Sequence, residues 1–419
     1  MTNNPTNDEV ICWNCYKKTP PPVCIHCGAR LRLMNEQIQD DTNILVKPEK
    51  IFYEIPGTDI RINLNTLFEI ITKYFEIISL PAPTKLVMKV KPLEENVKLE
   101  EILVKIKEEV SNIAPGLYPF LSRDNYHKES MLLSFRYVPV FPTLKWLKVI
   151  NYLFIFLSAL IPAYSWLVIN GVTQLTTIFK ISKTILFEAL LIFALFLMGF
   201  LIQIFLGTFF YRKKSQERQS NIVVPSIPSV PVGAIAWLNE SLEPPYSKEK
   251  QVKVELTKWF SHFVYSILLL IIGLLIPWGN GSYSPIDIGN ALNPYFGFLF
   301  SIMGFYIHSS PIYFAGILYF VFVLIQGLPL GNLLGGRMFS VITTTKIQNI
   351  LLAVVIFLLL NLDLTIGIFS LFIFFFSRKI PPMDNYSQLN NKQRFLALFP
   401  IIFSMLLLTI TIFNKFIPF

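Results

Sequence analysis

The sequence predicts a polytopic α-helical membrane protein of about seven spans, with a cysteine-containing N-terminal segment and a small α/β domain in front of the membrane region. Three observations predict this fold class. Hydrophobic residues make up 53% of the 419 residues and the mean hydropathy is +0.53. The apolar residues form long runs in the second two-thirds of the chain, and the first third is more polar. Soluble domains spread a smaller apolar share more evenly, so we predict an integral membrane protein.

The first 40 residues contain all four cysteines of the chain, arranged as two CxxC pairs. Cys12 and Cys15 form the first pair, and Cys24 and Cys27 form the second pair eight residues later. Two such pairs supply four thiolates to one tetrahedral zinc ion and leave no open coordination position. We therefore predict a zinc ribbon over 1–40 that holds one structural zinc ion. Two disulfides or an iron site are the alternatives, and a reducing cytoplasm disfavours the disulfides.

A polar linker is predicted over 41–55 and a small α/β cytoplasmic domain over 56–140. The stretch "TKLVMKVKPL" alternates as a strand does, and "GLYPFLSRDNYHKESMLLSFRYVPV" predicts two strands around a polar turn. The stretch "LEEILVKIKEEVSNI" has helical periodicity, and its apolar stripe consists of Ile102, Leu103, Ile106 and Val110. The carboxylates of this domain follow a helix face and predict a solvated surface without a catalytic arrangement.

The membrane region is predicted over 141–419, with a cytoplasmic insert at 211–259. A hydrocarbon core of about 30 Å requires about 20 residues of helix. The predicted spans are 147–169, 184–210, 260–279, 311–330, 344–361, 363–377 and 395–413. Lysines and arginines cluster in alternate loops and are absent from the sequence 281–310. The positive-inside rule then places the N-terminus in the cytoplasm and the C-terminus outside, in the plasma membrane of a prokaryote.

The net charge of +9 is interpreted through the same topology. Basic residues beside membrane spans indicate contact with an anionic leaflet, so the lipid bilayer is the first predicted partner. Aromatic residues that could stack on bases are few around the cysteine pairs, and a nucleic-acid partner is not predicted. Nothing in the sequence sets the oligomeric state.

The stretch "QGLPLGNLLGGRMF", residues 326–339, follows a long apolar run. It combines glycines and a proline with an arginine, a composition that breaks a helix. Irregular backbone at membrane depth is tolerated where it is buried in protein or lines a polar cavity. The stretch therefore predicts an interrupted membrane helix whose loop presents a side chain to another span.

The order of these parts resembles the site-2 protease family. The closest branch is that of the chloroplast ethylene-dependent gravitropism-deficient and yellow-green proteins and their archaeal relatives. The resemblance covers about residues 95–345, and its most specific segment is "SSPIYFAGILYFVFVLIQGLPLGNLLGGR", residues 309–337. The residues that match the family pattern there are Pro311, Ala315, Gly316, Pro329, Gly331, Gly335, Gly336 and Arg337.

The resemblance implies an intramembrane zinc site made by the two histidines of an HExxH helix and the aspartate of an LDG loop. In this sequence the HExxH window falls on residues 203–207 or one residue later, and neither window contains a histidine or a glutamate. Gln203, Ile204 and Gly207 occupy that window, and Leu334 stands at the position of the aspartate. We therefore predict a degenerate active site without a catalytic metal.

The histidines lead to the same expectation without an alignment. The chain has four, His26, His127, His262 and His308, and no two of them are four residues apart. His262 is predicted at the start of the third span and His308 on the far side of the membrane, so the two are not expected to share an ion. The other polar candidates, such as Gln203, Gln326 and Asn332, are weak zinc ligands.

Together these features predict a non-catalytic site-2 protease-like membrane protein, a pseudoprotease that binds membrane or peptide partners. An extended peptide would add to the insert along 222–238, with Val230, Val232, Gly233 and Ile235 as candidate contacts. The zinc ribbon would dock a cytoplasmic protein. The alternative function is an active intramembrane metalloprotease or hydrolase with a divergent site, for which Glu188 and Asp363 are the candidate acids. Transport is disfavoured because charges within the spans are few.

Overall fold

The computed structural model describes residues 61–79, 86–94, 97–123, 131–138, 149–168, 170, 182–205, 223–225, 233–234, 244–276, 310–343, 346–361, 367–368, 370–371, 373 and 381–409 with their side chains. It describes the backbone of the rest of the helices and strands bounded below.

The N-terminal third forms a four-stranded antiparallel sheet, two separate pairs of short strands, and two helices. Its elements are β1 (Val10–Ile11), β2 (Lys18–Thr19), β3 (Phe52–Glu54), β4 (Arg61–Asn63), α1 (Leu64–Thr72), β5 (Phe75–Ala82), β6 (Val87–Pro92), α2 (Leu99–Ile113), β7 (Leu117–Arg123) and β8 (Met131–Tyr137). The main sheet has the order β5-β6-β8-β7, with neighbouring strands antiparallel. The strand, the helix and the pair of strands predicted for this domain are confirmed.

The α/β core follows from the apolar periodicity of its elements. The predicted stripe of α2 is buried in full, and it consists of Ile102, Leu103, Ile106 and Val110. These side chains pack in one cluster with buried residues of the sheet such as Met88, Phe120 and Leu133. Asn63 begins α1, because its side chain accepts a hydrogen bond from the backbone N–H of Asn65 at 3.0 Å.

The rest of the chain is mainly helical. Its elements are α3 (Lys145–Ile169), α4 (Lys183–Arg212), β9 (Gln219–Pro225), β10 (Ala234–Ser241), α5 (Lys248–Leu275), α6 (Pro311–Gly327), α7 (Leu334–Ile342), α8 (Thr345–Leu362) and α9 (Asn391–Phe416). Four stretches are long and apolar enough to cross a membrane, namely Val149–Val168, Lys183–Phe205, Lys248–Leu275 and Asn391–Thr409. The protein is thus an α-helical membrane protein with a small sheet domain.

Helices lie at the positions of six predicted spans, although α6 and α8 are shorter than a typical span. The sixth predicted span, 363–377, falls largely outside the described residues. The largest difference concerns α5, which begins at Lys248, within the stretch 211–259 that was assigned to the cytoplasmic insert. The sequence there is rich in charge, but Ser247 accepts a hydrogen bond from the Lys250 N–H and so begins the helix early.

Helix α6 is the centre of the membrane region, and it is buried almost throughout its length. Close approaches fix its position against α5. A Cβ atom at Gly316 would lie 2.9 Å from the backbone nitrogen of Leu270, and one at Gly273 would overlap the backbone of Tyr313. These contacts pair the start of α6 with the end of α5, so the two helices are antiparallel.

The α/β domain is joined to the membrane region by a segment from just before α9. The Leu121 N–H donates to Met383 O at 2.7 Å, and the Asp384 N–H donates to Tyr246 O at 2.9 Å. The segment therefore lies between β7 and the residues that lead into α5. The start of α5 and the start of α9 are on the same side of the membrane region as the α/β domain.

Candidate functional site: a buried polar cluster beside an interrupted membrane helix

The predicted helix break is confirmed. α6 ends at Gly327, and α7 begins at Leu334 after a six-residue loop, 328–333. Gly331 has a φ of +43°, which favours glycine, and a Cβ atom at Gly335 would overlap the carbonyl oxygen of Gly327. The glycines thus let the chain turn tightly and bring the start of α7 against the end of α6.

The two half-helices together run along α5. Trp259 of α5 donates its Nε1–H to the carbonyl of Val323 on α6 at 3.2 Å. Closer to the start of α5, Glu255 meets Arg337 of α7. The break consequently lies inside the helical bundle, at the level of Trp259.

Helix α5 presents a polar stripe to this interface. The stripe consists of Gln251, Glu255, Lys258, His262 and Ser266, which follow one another at spacings of three or four residues and are at most 5% exposed. Such spacing places all five on one face of a helix. Buried polar and ionisable residues in a membrane helix are uncommon and mark functional or structural sites.

A hydrogen-bonded triad crosses three helices at this stripe. Tyr319 of α6 donates its O–H to Nδ1 of His262 at 2.6 Å, and the Nε2–H of His262 donates to Oε1 of Gln203 on α4. Because Oε1 of an amide only accepts, Nε2 of His262 carries the hydrogen, and in that tautomer Nδ1 is left to accept from the Tyr319 hydroxyl. All three side chains are at most 1% exposed.

A buried ion pair fixes the half-helix that follows the break. The Nε atom of Arg337 lies 3.0 Å from Oε1 of Glu255, and the two side chains are 8% and 0% exposed. Gln251 adds a hydrogen bond from its Nε2 to the carbonyl of Arg337 at 3.2 Å. Arg337, which the sequence pattern included in the loop, therefore connects α7 to α5.

The structure locates the degenerate active-site positions as follows. Gln203 lies in the triad, Ile204 is half-buried and packs against the central hydrophobic cluster, and Gly207 continues α4. Leu334 is fully buried in the same cluster and is the first residue of α7. Gln203 thus makes a polar contact, and Leu334 makes apolar contacts in the same interior.

His262 was predicted at the start of the third span. Helix α5 begins at Lys248, so His262 lies in the middle of this helix and faces the interior. Among the described residues, no three His, Cys, Asp or Glu side chains come together as a group that could hold a metal ion.

The hairpin of the insert lies against the membrane helices. β9 and β10 pair antiparallel, with Pro225 opposite Ala234 at one end and Gln219 opposite Ser241 at the other, and a bulge follows Ala234. Gly233 has a φ of +81°, and a Cβ atom there would lie 2.8 Å from the ring of Phe196 and 3.0 Å from the carbonyl of Ser158. Of the four candidate peptide contacts, Gly233 is thus a packing residue and Ile235 belongs to β10, while Val230 and Val232 lie outside the described residues.

The proposed zinc ligands Cys12, Cys15, Cys24 and Cys27 lie outside the described residues. The two short strands on either side of the first CxxC pair are described. They pair antiparallel, with Val10 opposite Thr19 and Ile11 opposite Lys18.

Sequence reasoning missed Tyr319, Glu255 and Lys258 as parts of one interior. The signal was present in "QVKVELTKWFSHFVYS", where polar residues recur with helical spacing. It was hidden because Lys250, Lys253 and Glu249 gave the same stretch the composition of a loop. Tyr319 had no comparable signal, since a tyrosine in an apolar helix is an ordinary core residue.

The fold and this interior define a helical membrane protein that carries a small α/β domain and a polar cluster beside an interrupted helix. Comparison of the chain with protein families, with curated proteins and with solved structures gives no match.

Proposed function

We propose that this protein is a non-catalytic, site-2 protease-like membrane protein that binds a peptide or membrane partner. In this proposal the membrane region crosses the bilayer about seven times, in a prokaryotic plasma membrane with the N-terminus in the cytoplasm. The zinc ribbon holds one structural zinc ion and docks a cytoplasmic protein.

One observation supports the inference that this protein is not a zinc protease. The positions at which the family resemblance implies zinc ligands are occupied by Gln203, which is engaged with His262, and by Leu334, which is buried in the hydrophobic cluster. A zinc hydrolase site needs several nitrogen or oxygen ligands of strong affinity and one open position. Leu334 supplies none, and Gln203 is a weak ligand that is already hydrogen-bonded.

The peptide-binding role is supported by the edge of the insert hairpin. The Val223 N–H donates to Oδ1 of Asn151 at 3.0 Å, so it points away from β10. Val223 lies opposite Trp237, and Asn221 lies opposite Asn239. Because opposite residues of an antiparallel pair share their direction, the N–H groups of Trp237 and Asn239 also point away from the hairpin. Within the described chain β10 pairs with β9 alone, and its outer edge fits strand addition.

Metal analysis of the purified full-length protein tests the first part of this proposal. We expect one zinc ion per chain, and we expect none after replacement of Cys12, Cys15, Cys24 and Cys27 by serine. More than one zinc ion per chain, or zinc retained by the four-serine variant, would favour the alternative of a divergent metalloprotease.

A proline scan of the hairpin edge tests the second part. Asn239→Pro removes one outward N–H group and leaves the hairpin pairing intact, whereas Asn239→Ala keeps the N–H. With a photoreactive residue at position 241 in native membranes, we expect strong cross-links to a partner peptide in Asn239→Ala and weak ones in Asn239→Pro. Equal cross-linking in both variants would exclude strand addition on β10.

The alternative catalytic acid Glu188 lies away from the polar cluster. Its Oε2 accepts a hydrogen bond from Nε1 of Trp166 at 3.1 Å. Glu188 is separated from Gln203 along α4 by about 22 Å, at about 1.5 Å per residue. Cleavage of a tethered membrane peptide that depends on Glu188 would still restore an enzymatic function, and Glu188→Gln is the variant that tests it.

A further inference from the structure

The interior between α5 and α6 contains a side-chain amide with no protein partner. Gln326, in the last turn of α6, is 1% exposed, and neither its Nε2 nor its Oε1 forms a hydrogen bond within the described chain. An amide buried without hydrogen bonds costs about 1–3 kcal/mol in proteins, and such groups are rare in native structures.

The neighbouring polar groups have the same deficit. The Nε2 of Gln203 has no hydrogen-bond partner, although its Oε1 is engaged by His262. Gln326 lies seven residues after Tyr319 and therefore on the same face of α6, about 10 Å further along the helix. The face that carries Tyr319 is directed at the polar stripe of α5, because Tyr319 contacts His262.

The helix break lies beside this amide. α7 begins in the interior, and its N-cap residue Leu333 provides no side-chain hydrogen bond. The first N–H groups of a helix need such a cap, a ligand or water. Gly335 packs on the carbonyl of Gly327, so the start of α7 is adjacent to the turn that contains Gln326.

We propose that this interface binds internal water molecules between α5, α6 and the start of α7. Gln326 supplies one donor pair and one acceptor, and Gln203 supplies a donor pair. A buried water molecule typically makes about three hydrogen bonds to polar groups that lack other partners, and this set of groups meets that requirement.

This water site does not depend on the loss of catalysis. A divergent hydrolase would need water here, and a binding protein would need it to satisfy the amides. Hydration of the interior and metal binding can therefore fail independently, and the zinc measurement above tests metal binding alone.

Radiolytic hydroxyl-radical footprinting of the full-length protein in lipid nanodiscs tests the proposal. Radicals formed from bound water oxidise the side chains beside it. Tyr319 and His262 are then expected to be oxidised several-fold faster than Phe314, an equally buried aromatic residue of α6 that packs against Trp166. Oxidation of Tyr319 and His262 at the rate of Phe314 would overturn the water site.

A substitution adds a second measurement. Gln326→Leu removes the amide and should displace the water beside it. The oxidation of Trp259, whose Nε1 lies against the turn that contains Gln326, should then fall toward that of Phe314. The matched control is Ile325→Leu on the neighbouring half-buried position, which should leave the oxidation rates unchanged. If Gln326→Leu does not fold, the comparison of Tyr319 and His262 with Phe314 in the native protein still decides. Unchanged oxidation of Trp259 in a folded Gln326→Leu protein would contradict the role of Gln326.

Discussion

The α/β domain and the membrane region bury opposite kinds of side chains. In the described part of the α/β domain, 61–138, no side chain of Asp, Glu, Lys, Arg, Asn, Gln, Ser or Thr is buried. The membrane region buries Gln203, Glu255, Lys258, His262 and Arg337 in its interior and exposes large apolar residues on its outside. The soluble domain thus has an ordinary core, and the membrane region has a polar centre inside an apolar shell.

The difference shows that the two interiors are held together differently. Burial of apolar area stabilises the α/β core without regard to direction. A lipid environment supplies little such force between helices, so close backbone packing and hydrogen bonds between helices have a larger share there. Glycine contacts, the Glu255–Arg337 pair and the His262 triad should therefore dominate the stability of the membrane region. Four substitutions test that expectation, in order of decreasing effect.

Gly335→Ala should have the largest effect. The added Cβ overlaps the carbonyl of Gly327, which is backbone and cannot rotate away. We expect a loss greater than the about 1–3 kcal/mol of ordinary overpacking, seen as aggregation or a strongly lowered melting temperature in detergent. Ser340→Ala, on the same short helix, is the control and should unfold like the native protein. A Gly335→Ala protein of native stability would show that the loop is not packed as described.

Breaking the buried ion pair should rank second. Glu255→Leu leaves the Arg337 guanidinium buried without its carboxylate, and removal of one partner of a buried pair typically costs about 3–5 kcal/mol. The double variant Glu255→Leu with Arg337→Met should recover part of this loss, because the guanidinium no longer lies buried without its carboxylate. Denaturation of both variants and of Arg337→Met alone completes a double-mutant cycle. A double variant no more stable than the single ones would mean that the pair is not coupled.

Sequence periodicity predicted the α/β domain well because its signals are local. The stripe of α2 is buried as its spacing requires, and the strands at 117–123 and 131–137 pair around the predicted turn. The helix break at 328–333 was predictable for the same reason, since its glycines and proline act on their own backbone.

The polar interior was predicted only in part because its contacts join distant residues. Gln203 was singled out by position, but its partner His262 is 59 residues away and was assigned to a membrane face. The third span was predicted from residue 260 because the lysines and glutamates at 248–258 were assigned to the cytoplasmic insert. In the structure this stretch is the first part of α5, and Glu255 and Lys258 are buried. Composition averages over a helix and cannot tell which face a charge occupies.

Removal of one hydroxyl from the triad should have a smaller effect. Tyr319→Phe keeps the ring contacts with Phe196 and Phe322 but leaves Nδ1 of His262 without its donor. We expect a loss of about 1–3 kcal/mol, measured as a shift of the denaturant midpoint in detergent. The control Tyr152→Phe, at an exposed position of α3, should change little. Stability equal to that of the native protein would mean that the triad contributes no hydrogen bond of consequence.

The smallest effect belongs to the surface of the α/β domain. Hydrogen bonds from Lys73 and Tyr74, both at 2.7 Å, lower the pKa of Glu109 below that of an ordinary glutamate. A carboxylate with a lowered folded-state pKa stabilises the fold above its unfolded pKa, and this contribution is lost as the pH falls through the folded pKa. Lys73 is 58% exposed and Glu109 31%, so solvent should limit the contribution to below about 1 kcal/mol.

Glu109→Gln removes this titration and should flatten the decline in stability of the full-length protein on the acid side of about pH 4, near the ordinary pKa of glutamate. Unfolding of the α/β domain followed against pH at low salt measures the difference, and added salt should reduce it. Glu108→Gln, an adjacent exposed glutamate on α2, controls for the loss of one surface charge. If both variants flatten the acid-side decline in stability equally, the stabilisation comes from net charge and not from the contacts of Glu109. The α/β domain would then depend on surface electrostatics alone, in contrast to the buried electrostatics of the membrane region.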